Sequence, residues 1–148
     1  MNANKITDRF TQFLKTKKLR ITKERLLVLE NLYKNDTHID AESLFITMRK
    51  KGIKVSRATV YNTLQLLLQA NLINRSHFGE PHHHYEPVVP DKQHHHIVCS
   101  LCGKVEEFSA GILNKIQQNI CTEHKYKFVS SAFQILGVCE KCSKQNQI

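Results

Sequence analysis

The N-terminal half of the chain repeats its apolar residues at the spacing of amphipathic helices. Four segments within residues 1–75 carry such stripes. Thr22, Asp40 and Ser56 each stand directly before a periodic segment, where N-cap residues are expected, and Gly52 follows the third segment as a stop signal. The pattern therefore predicts four helices in this half of the chain.

The fourth predicted helix, RATVYNTLQLLLQA, has two chemically different faces. Its buried stripe is predicted to consist of Val60, Leu64, Leu67 and Leu68. On or near the opposite face are polar side chains that suit the grooves of DNA: Arg57, Thr59, Tyr61, Asn62 and Gln65. Arg binds guanine with two hydrogen bonds, Asn and Gln do the same with adenine, and Thr or Tyr reach phosphates or a thymine methyl group. We therefore predict that this helix reads DNA.

Two short strand-like runs, NLINRSHF and HHHYEPVV, follow the fourth helix and are separated by Gly79-Glu80-Pro81, which predicts a hairpin. Helices followed by such a hairpin are typical of a winged helix-turn-helix domain, in which one helix enters the major groove and the wing lies on the DNA backbone. An ordinary helical domain with a polar surface is the alternative that this pattern leaves open.

The second half predicts a small α/β unit. HHHIVCS and KVEEFS are predicted strands joined by a turn at Cys102-Gly103, residues 111–121 form a helix with one apolar side, and residues 126–137 are extended. All three prolines fall at 81, 87 and 90, which indicates a hinge. We therefore predict an α+β chain with a DNA-binding domain at 1–85, a hinge at 86–92 and a dimerisation and metal-binding domain at 93–148. Its short sheet is expected to pair with a second copy, giving a homodimer.

Charge is distributed unevenly between the two halves. The chain has 148 residues and a formal net charge of +9. Residues 1–75 hold fifteen Lys/Arg against six Asp/Glu, whereas the remainder holds seven against seven. This asymmetry indicates an anionic partner for the first half, with double-stranded DNA the expected one. No apolar run is long enough for a signal peptide or a membrane span, so a cytoplasmic location is expected.

Two CxxC motifs, Cys99-Ser-Leu-Cys102 and Cys139-Glu-Lys-Cys142, are the strongest chemical signal in the sequence. Four thiolates at this spacing suit tetrahedral Zn²⁺ in a structural site. A redox-active CxxC and a disulfide are the alternatives, but the first usually occurs as one motif in a thioredoxin-like pattern and the second is disfavoured in the cytosol. Cys121 is left over and is expected to be a buried apolar residue of its helix.

A second set of metal-ligand types comprises His38, Glu86, His94, His96 and Glu107. Alternate residues of a strand share a face, so His94 and His96 are predicted to point the same way and His95 the opposite way. Imidazoles with carboxylates suit Fe²⁺, Mn²⁺, Zn²⁺, Co²⁺ or Ni²⁺. Spacing alone does not bring these five residues together, so a solvated histidine-rich loop is the alternative.

The order of motifs resembles the ferric uptake regulator (Fur) superfamily of metal-dependent bacterial repressors. The resemblance runs from about Leu19 to Cys142 and rests on LRITKER, THIDAESLF, SRATVYNTL, HHHIVCSLCGKVEEF and GVCEKC. It implies that His38, Glu86, His94, His96 and Glu107 are regulatory metal ligands and that the four CxxC cysteines hold structural zinc. It also implies base contacts from Arg57 and Tyr61 and a minor-groove contact from Arg20.

The resemblance implies a repressor that binds a palindromic operator when its regulatory metal is bound. Fe²⁺ or Mn²⁺ is the expected ion, with Zn²⁺ as a substitute in vitro. Asn62 after ATVY resembles the peroxide-sensing branch of the family, whereas Glu107 is more typical of iron sensors, so the sequence leaves the signal open. A zinc-responsive repressor of the same family is the nearest alternative.

Two other classes of protein compete with a repressor. A metal-dependent enzyme could use His94, His96 and a carboxylate, but the chain has no substrate-pocket motif and its basic half would be unexplained, so we expect no enzyme. A metal-storage protein would bind metal without any effect on DNA affinity. A further metal site known in some relatives is expected to be missing, because its positions read Gln93, His95, Asn114 and Ser131. The triplet His82–His84 lies in the predicted wing; we interpret it as exposed imidazoles near the DNA backbone in preference to another metal site.

Overall fold

The computed structural model describes residues 3–34, 38–77, 82–88, 95–128, 131 and 133–146. The described residues form two compact units, one built from residues 3–77 and 82–88 and the other from residue 95 onward. None of the helices within the described ranges has the length and apolar character needed to cross a membrane. The domain boundaries at 85 and 92 stay predictions: a strand at His84–Pro87 runs across the first, and residues 89–94 lie outside the described ranges.

Four helices and one short strand make up most of the N-terminal unit. In chain order they are α1 (Ala3–Thr16), α2 (Lys23–Lys34), β1 (Ile39–Asp40), α3 (Ala41–Lys50) and α4 (Arg57–Gln69). The four predicted helices are therefore confirmed. The strand β1 was not predicted, because two residues are too few to show a period of two.

Helix starts follow the predicted capping residues. The Asp40 carboxylate accepts two backbone N–H bonds of 2.9 Å from the first turn of α3. The Ser56 hydroxyl accepts a 3.0 Å bond from the first turn of α4, and Thr22 Oγ1 accepts a 3.3 Å bond at the start of α2. Gly52 follows α3 with a φ of +75°, a conformation that glycine adopts without steric cost. Each of the three N-caps satisfies backbone N–H donors that the start of a helix leaves unpaired.

The N-terminal unit has one apolar core. Phe10, Leu32, Leu44 and Leu64 come from the four different helices, and each is fully buried. Burying an aliphatic or aromatic side chain of this size contributes about 1.5–3 kcal/mol, so the shared core holds the helices together. The stripe predicted for α4 is confirmed at Val60, Leu64 and Leu67, whereas Leu68 is only partly buried.

A three-stranded sheet completes this unit. Strands β2 (Ile73–Ser76) and β3 (His84–Pro87) are antiparallel, so the predicted hairpin pairing is confirmed. Strand β1 pairs with the other edge of β3, which gives the order β1-β3-β2. His84, in the central strand β3, is therefore aligned with Asp40 of β1 on one side and with Ser76 of β2 on the other.

The C-terminal unit combines a three-stranded sheet with two helices. Its elements are β4 (His95–Cys99), β5 (Val105–Phe108), α5 (Gly111–Glu123), β6 (Gln134–Gly137) and α6 (Glu140–Asn146). In the order β5-β4-β6, β4 is antiparallel to β5 and parallel to β6. Residues 126–137 were expected to be extended, and in the described part of that segment the strand is Gln134–Gly137. Helix α6 was not predicted.

Few apolar side chains are buried in the described part of the C-terminal unit. Helix α5 has no buried residue, and Ile112, Ile116 and Ile120 are 68%, 46% and 51% exposed. Leu136 of β6 is 67% exposed. The expectation that Cys121 is buried was wrong: its side chain is partly exposed, as are Leu113 and Gln117, which share its face of α5. An apolar surface of this kind is typical of a protein interface.

Candidate metal centres and nucleic-acid interface

Four cysteines converge at one end of the C-terminal sheet. Cys99 ends β4, Cys102 lies in the following turn, Cys139 precedes α6 and Cys142 lies in the first turn of that helix. Their sulfur atoms all lie within 4.8 Å of one another. The two CxxC motifs, about forty residues apart in the chain, therefore form one group, which we call the four-cysteine cluster.

Strand pairing brings the two halves of the four-cysteine cluster together. Cys99 is aligned with Gly137 in the parallel β4/β6 pair, and Ser100 N donates a 2.8 Å hydrogen bond to Gly137 O. Gly103 has a φ of +70°, and its amide donates a 2.9 Å bond back to Cys99 O. This closes the tight turn that places Cys102 beside Cys99. Strand pairing and this turn thus position the cysteines of both CxxC motifs relative to one another.

The local electrostatics favour the thiolate at Cys99 and disfavour it at Cys142. Hydrogen bonds from the backbone amides of Cys139, Cys102 and Leu101 lower the pKa of Cys99 to about 6. Hydrogen bonding with the neighbouring sulfurs of Cys139 and Cys102, together with burial, raises the pKa of Cys142 to about 12. All four groups can be thiolates together only when a cation neutralises their mutual repulsion.

The geometry of the four-cysteine cluster fits zinc. The Sγ atoms of Cys102 and Cys139 are 3.8 Å apart. A tetrahedral zinc site with Zn–S bonds of about 2.3 Å has sulfur–sulfur edges of roughly 3.8 Å. The donor set and its spacing are thus those of a structural Zn²⁺ site.

Two of the predicted regulatory ligands meet in the N-terminal unit. His38 Nε2 lies 2.8 Å from Glu86 Oε2, and the side chains are only 16% and 10% exposed. Asn74 Nδ2 donates a 3.5 Å hydrogen bond to the other oxygen of Glu86. The β1/β3 pairing explains the contact, because His38 directly precedes β1 and Glu86 lies in β3. Sequence spacing gave no sign of this pairing.

Two further predicted ligands are neighbours in the C-terminal unit. His96 and Glu107 are directly aligned in the antiparallel β4/β5 pair; His96 is buried and Glu107 is exposed. His95 has its ring centre 5.6 Å from the rings of both Phe108 and Phe133. The predicted ligand His94 lies outside the described residues. Each unit thus contributes its own pair of metal-ligand types.

The surface of α4 carries the residues predicted to read DNA. Val60 and Leu64 anchor the helix in the core, so the intervening Tyr61 and Asn62 are exposed, Tyr61 to 46%. The helix has no acidic residue in its first turn. Its N-terminal end is therefore electrostatically suited to approach phosphates.

Arg57, at the start of α4, is held by two neighbours that the sequence analysis missed. Its Nε lies 3.0 Å from both carboxylate oxygens of Glu42, and Nη2 lies 2.8 Å from Oε1. Its guanidinium carbon lies 4.6 Å from the centre of the Phe45 ring. The hydrogen bonds lower the pKa of Glu42 and raise the pKa of Arg57. Both partners lie in α3, so this helix orients the first side chain of α4.

The remaining predicted DNA contacts differ in their surroundings. Thr59 is partly buried, and its Oγ1 lies 2.8 Å from Ser56 Oγ, which ties it to the N-cap of α4. Arg20 is exposed before α2, and its backbone oxygen accepts a bond from the Arg25 guanidinium. This bond ties the backbone at Arg20 to the first turn of α2.

Comparison with known proteins gives a consistent result. Residues 16–136 match the family model described as the ferric uptake regulator family. The ferric uptake regulation protein of Campylobacter jejuni is 36% identical over 143 residues, covering 95% of this chain and 90% of that protein.

Two solved structures are also similar. The Helicobacter pylori ferric uptake regulator, described as having three functional metal-binding sites, has a TM-score of 0.74 at 26% identity, over 97% of this chain and 95% of that one. The Vibrio cholerae regulator, whose DNA-binding domains are described as rearranged, has a TM-score of 0.63 at 31% identity, over 86% and 98%.

These findings confirm the predicted fold class, with an N-terminal DNA-binding domain and a C-terminal dimerisation domain. Regulators of this family bind DNA and form dimers. Their structures carry zinc, iron or manganese. The chain therefore belongs to the ferric uptake regulator family, whose members are metal-responsive transcriptional regulators rather than enzymes.

Proposed function

We propose that this protein is a metal-dependent transcriptional repressor that acts as a homodimer on double-stranded DNA. The observation that carries the proposal is the division of metal-ligand types between the two units. His38 and Glu86 are paired in the DNA-binding unit, and His96 and Glu107 are aligned in the other unit. Metal binding by both pairs would connect the two units directly.

The four-cysteine cluster is proposed to hold the structural Zn²⁺. Its ligands would be Cys99, Cys102, Cys139 and Cys142. When bound, zinc would neutralise the thiolates and cross-link β4, the following turn and α6. The site has four protein ligands and leaves no position for a substrate, so its role would be structural.

The regulatory ion is proposed to be Fe²⁺ or Mn²⁺, held by His38, Glu86, His94, His96 and Glu107. Imidazole and carboxylate donors suit these ions. With ligands drawn from both sides of the hinge at 86–92, the two units would keep one relative orientation. Metal would then favour the DNA-binding arrangement only by its higher affinity for that arrangement.

In the proposed complex, α4 enters the major groove of DNA. Arg57, Tyr61 and Asn62 would contact base edges or phosphates, and Thr59 would support the start of the helix. Arg20 would reach the adjacent minor groove. A two-fold dimer presents two copies of α4, so its operator would be palindromic. As a regulator of transcription, the protein would act in the cytoplasm.

The test measures the affinity of the zinc-loaded protein for its own promoter DNA without oxygen. Addition of Fe²⁺ or Mn²⁺ should raise the affinity at least tenfold, and His96→Ala should abolish that gain while the dimer and its zinc are retained. His124→Ala, which removes an exposed histidine of the same unit, is the matched control and should keep the gain. An unchanged affinity with every divalent ion, or a metal response that survives His96→Ala, would refute the proposal.

A subsequent small excess of peroxide identifies the signal. Loss of the Fe²⁺-dependent affinity, with oxidation of His38 or His94 detected by mass spectrometry, would assign peroxide sensing. Persistent binding would assign iron-responsive repression. A response to Zn²⁺ alone would assign a zinc sensor, the alternative within the same family.

A further inference from the structure

The wing hairpin carries four histidines whose spacing follows from its strand register. His77 directly follows β2, while His82 and His83 directly precede β3, which begins at His84. Continuing the register from the pair Ser76 and His84 places His77 opposite His83, and their ring centres are 5.5 Å apart. His82 and His84 are two residues apart and share the other face, with ring centres at 5.0 Å.

Electrostatics distinguish the two histidine pairs. The pair His77 and His83 lies near the guanidinium of Arg75; burial, together with this positive charge, lowers the pKa of His83. The pair His82 and His84 lies beside a carboxylate instead: Asp40 is aligned with His84 in the β1/β3 pair, and His82 interacts electrostatically with Asp40. A cation is therefore repelled from the first pair and attracted to the second.

We propose that His82, His84 and Asp40 form an accessory site for a divalent transition-metal ion such as Zn²⁺, Co²⁺ or Ni²⁺. Two imidazoles on one tetrahedral ion, with metal–nitrogen bonds of about 2.0–2.1 Å, have ring centres roughly 5 Å apart, as His82 and His84 do. Rotation about the side-chain torsions would have to turn their nitrogens toward a shared ion, because the structure does not bring the donor atoms of the three side chains together on its own.

Asp40 can serve this site and its helix at once. Its Oδ1 accepts both cap hydrogen bonds of α3, and a carboxylate has further acceptor positions on its second oxygen. Metal bound by this aspartate and the two histidines therefore joins the start of α3 to the wing. Water would complete the coordination, since the described part of the chain offers two imidazoles and one carboxylate at this position.

The accessory site is distinct from the regulatory pair but lies on the same sheet. His38 and Glu86 occupy one rung of the β1/β3 pair, and Asp40 and His84 occupy the rung two residues farther along. Two residues of a strand span about 7 Å, so the two positions are too far apart to share one ion. Ions at both positions would contact the same two strands, β1 and β3.

Co²⁺ binding to the full-length, zinc-loaded protein tests the proposal. In a His96→Ala/Glu107→Ala background, which removes regulatory ligands of the other unit, equilibrium dialysis counts Co²⁺ per chain, and zinc analysis verifies that the four-cysteine cluster keeps its ion. His82→Ala/His84→Ala should remove one bound Co²⁺, whereas His77→Ala/His83→Ala should remove none. Asp40→Asn should weaken the same binding event about tenfold, while α3 stays capped because asparagine is also an N-cap residue.

Equal loss in both double variants, loss only in His77→Ala/His83→Ala, or no loss in either would overturn the assignment. A change in DNA affinity for His82→Ala/His84→Ala without any change in Co²⁺ binding would also overturn it, because the histidines would then act on phosphates. The Co²⁺ measurement contains no DNA, so its result is independent of the repressor function proposed above.

Discussion

At the scale of single residues, Arg57, a proposed DNA contact, is oriented by two neighbouring side chains. Its guanidinium lies against the Phe45 ring and binds both oxygens of Glu42. Arg stacks on aromatic faces and pairs with carboxylates in a planar geometry, so the two neighbours direct it together. If Arg57 contacts DNA as proposed, a base or phosphate would displace or share the Glu42 carboxylate.

Glu42→Gln should therefore tighten non-specific binding and reduce sequence discrimination. The substitution removes a negative charge that competes with phosphate for Arg57 and that itself repels DNA. We expect affinity for a scrambled duplex to rise about two- to fivefold, with a smaller change for the operator, since exposed ion pairs are individually weak. Fluorescence anisotropy on both duplexes at two salt concentrations measures the effect.

Glu30→Gln is the matched control for this prediction. It removes the same charge from another exposed ion pair, the one with Lys34, in which both residues belong to α2 rather than to α3 or α4. A specific role of Glu42 requires that discrimination falls in Glu42→Gln alone. If both variants gain the same affinity for both duplexes, net charge explains the effect and the positioning role is wrong.

At the scale of elements, the two units differ in what stabilises them. The N-terminal unit has a core shared by four helices, whereas among the described residues of the C-terminal unit the buried apolar side chains are Val98, Cys99 and Cys142. Two of these three are members of the four-cysteine cluster. A metal cross-link therefore supplies stability that apolar burial within one chain does not.

Cys102→Ser should consequently unfold the C-terminal unit and leave the N-terminal unit folded. Loss of one ligand weakens zinc binding, whose free energy is comparable with the stability of a whole domain. Hydrogen exchange should show protection lost in β4, β5 and α6 and retained in α2 and α4, with zinc content falling. Cys121→Ser is the control and should keep both zinc and protection, because Cys121 is outside the cluster. Retained protection in zinc-free Cys102→Ser would contradict a folding role for zinc.

The comparison of predicted and observed elements shows what local sequence determines. Helices with an apolar stripe and a capping residue, such as α3 after Asp40 and α4 after Ser56, were predictable, and so was the four-cysteine cluster from its two CxxC motifs. Helix α6 was not, because its sequence EKCSKQN has no apolar period. Contacts such as Arg57 with Glu42, fifteen residues apart, depend on how helices meet and leave no periodic signal.

At the scale of the whole molecule, the excess positive charge and the exposed apolar surface of α5 belong to different halves of the chain. The excess positive charge belongs to residues 1–75, which include α4. The exposed apolar surface of α5 belongs to the other half, where Ile112, Ile116 and Ile120 are four residues apart and therefore share one helix face. One half is thus suited to an anionic partner and the other to an apolar one. Since regulators of this family form dimers, a second copy is the expected apolar partner.

Ile116→Asp should therefore dissociate the dimer. In a two-fold interface each substitution acts twice, and burial of an isoleucine side chain is worth about 1.5–3 kcal/mol, so the dissociation constant should rise by roughly two to four orders of magnitude. Sedimentation velocity measures the change.

Gln118→Asp introduces the same charge at another exposed position of α5 and should leave the dimer intact. Because no cluster cysteine lies in α5, the variant should keep its zinc and so remain folded. A monomer that still binds zinc but has lost its affinity for a palindromic operator would show that dimerisation couples the two recognition helices, whereas an unchanged dimer would place the interface elsewhere.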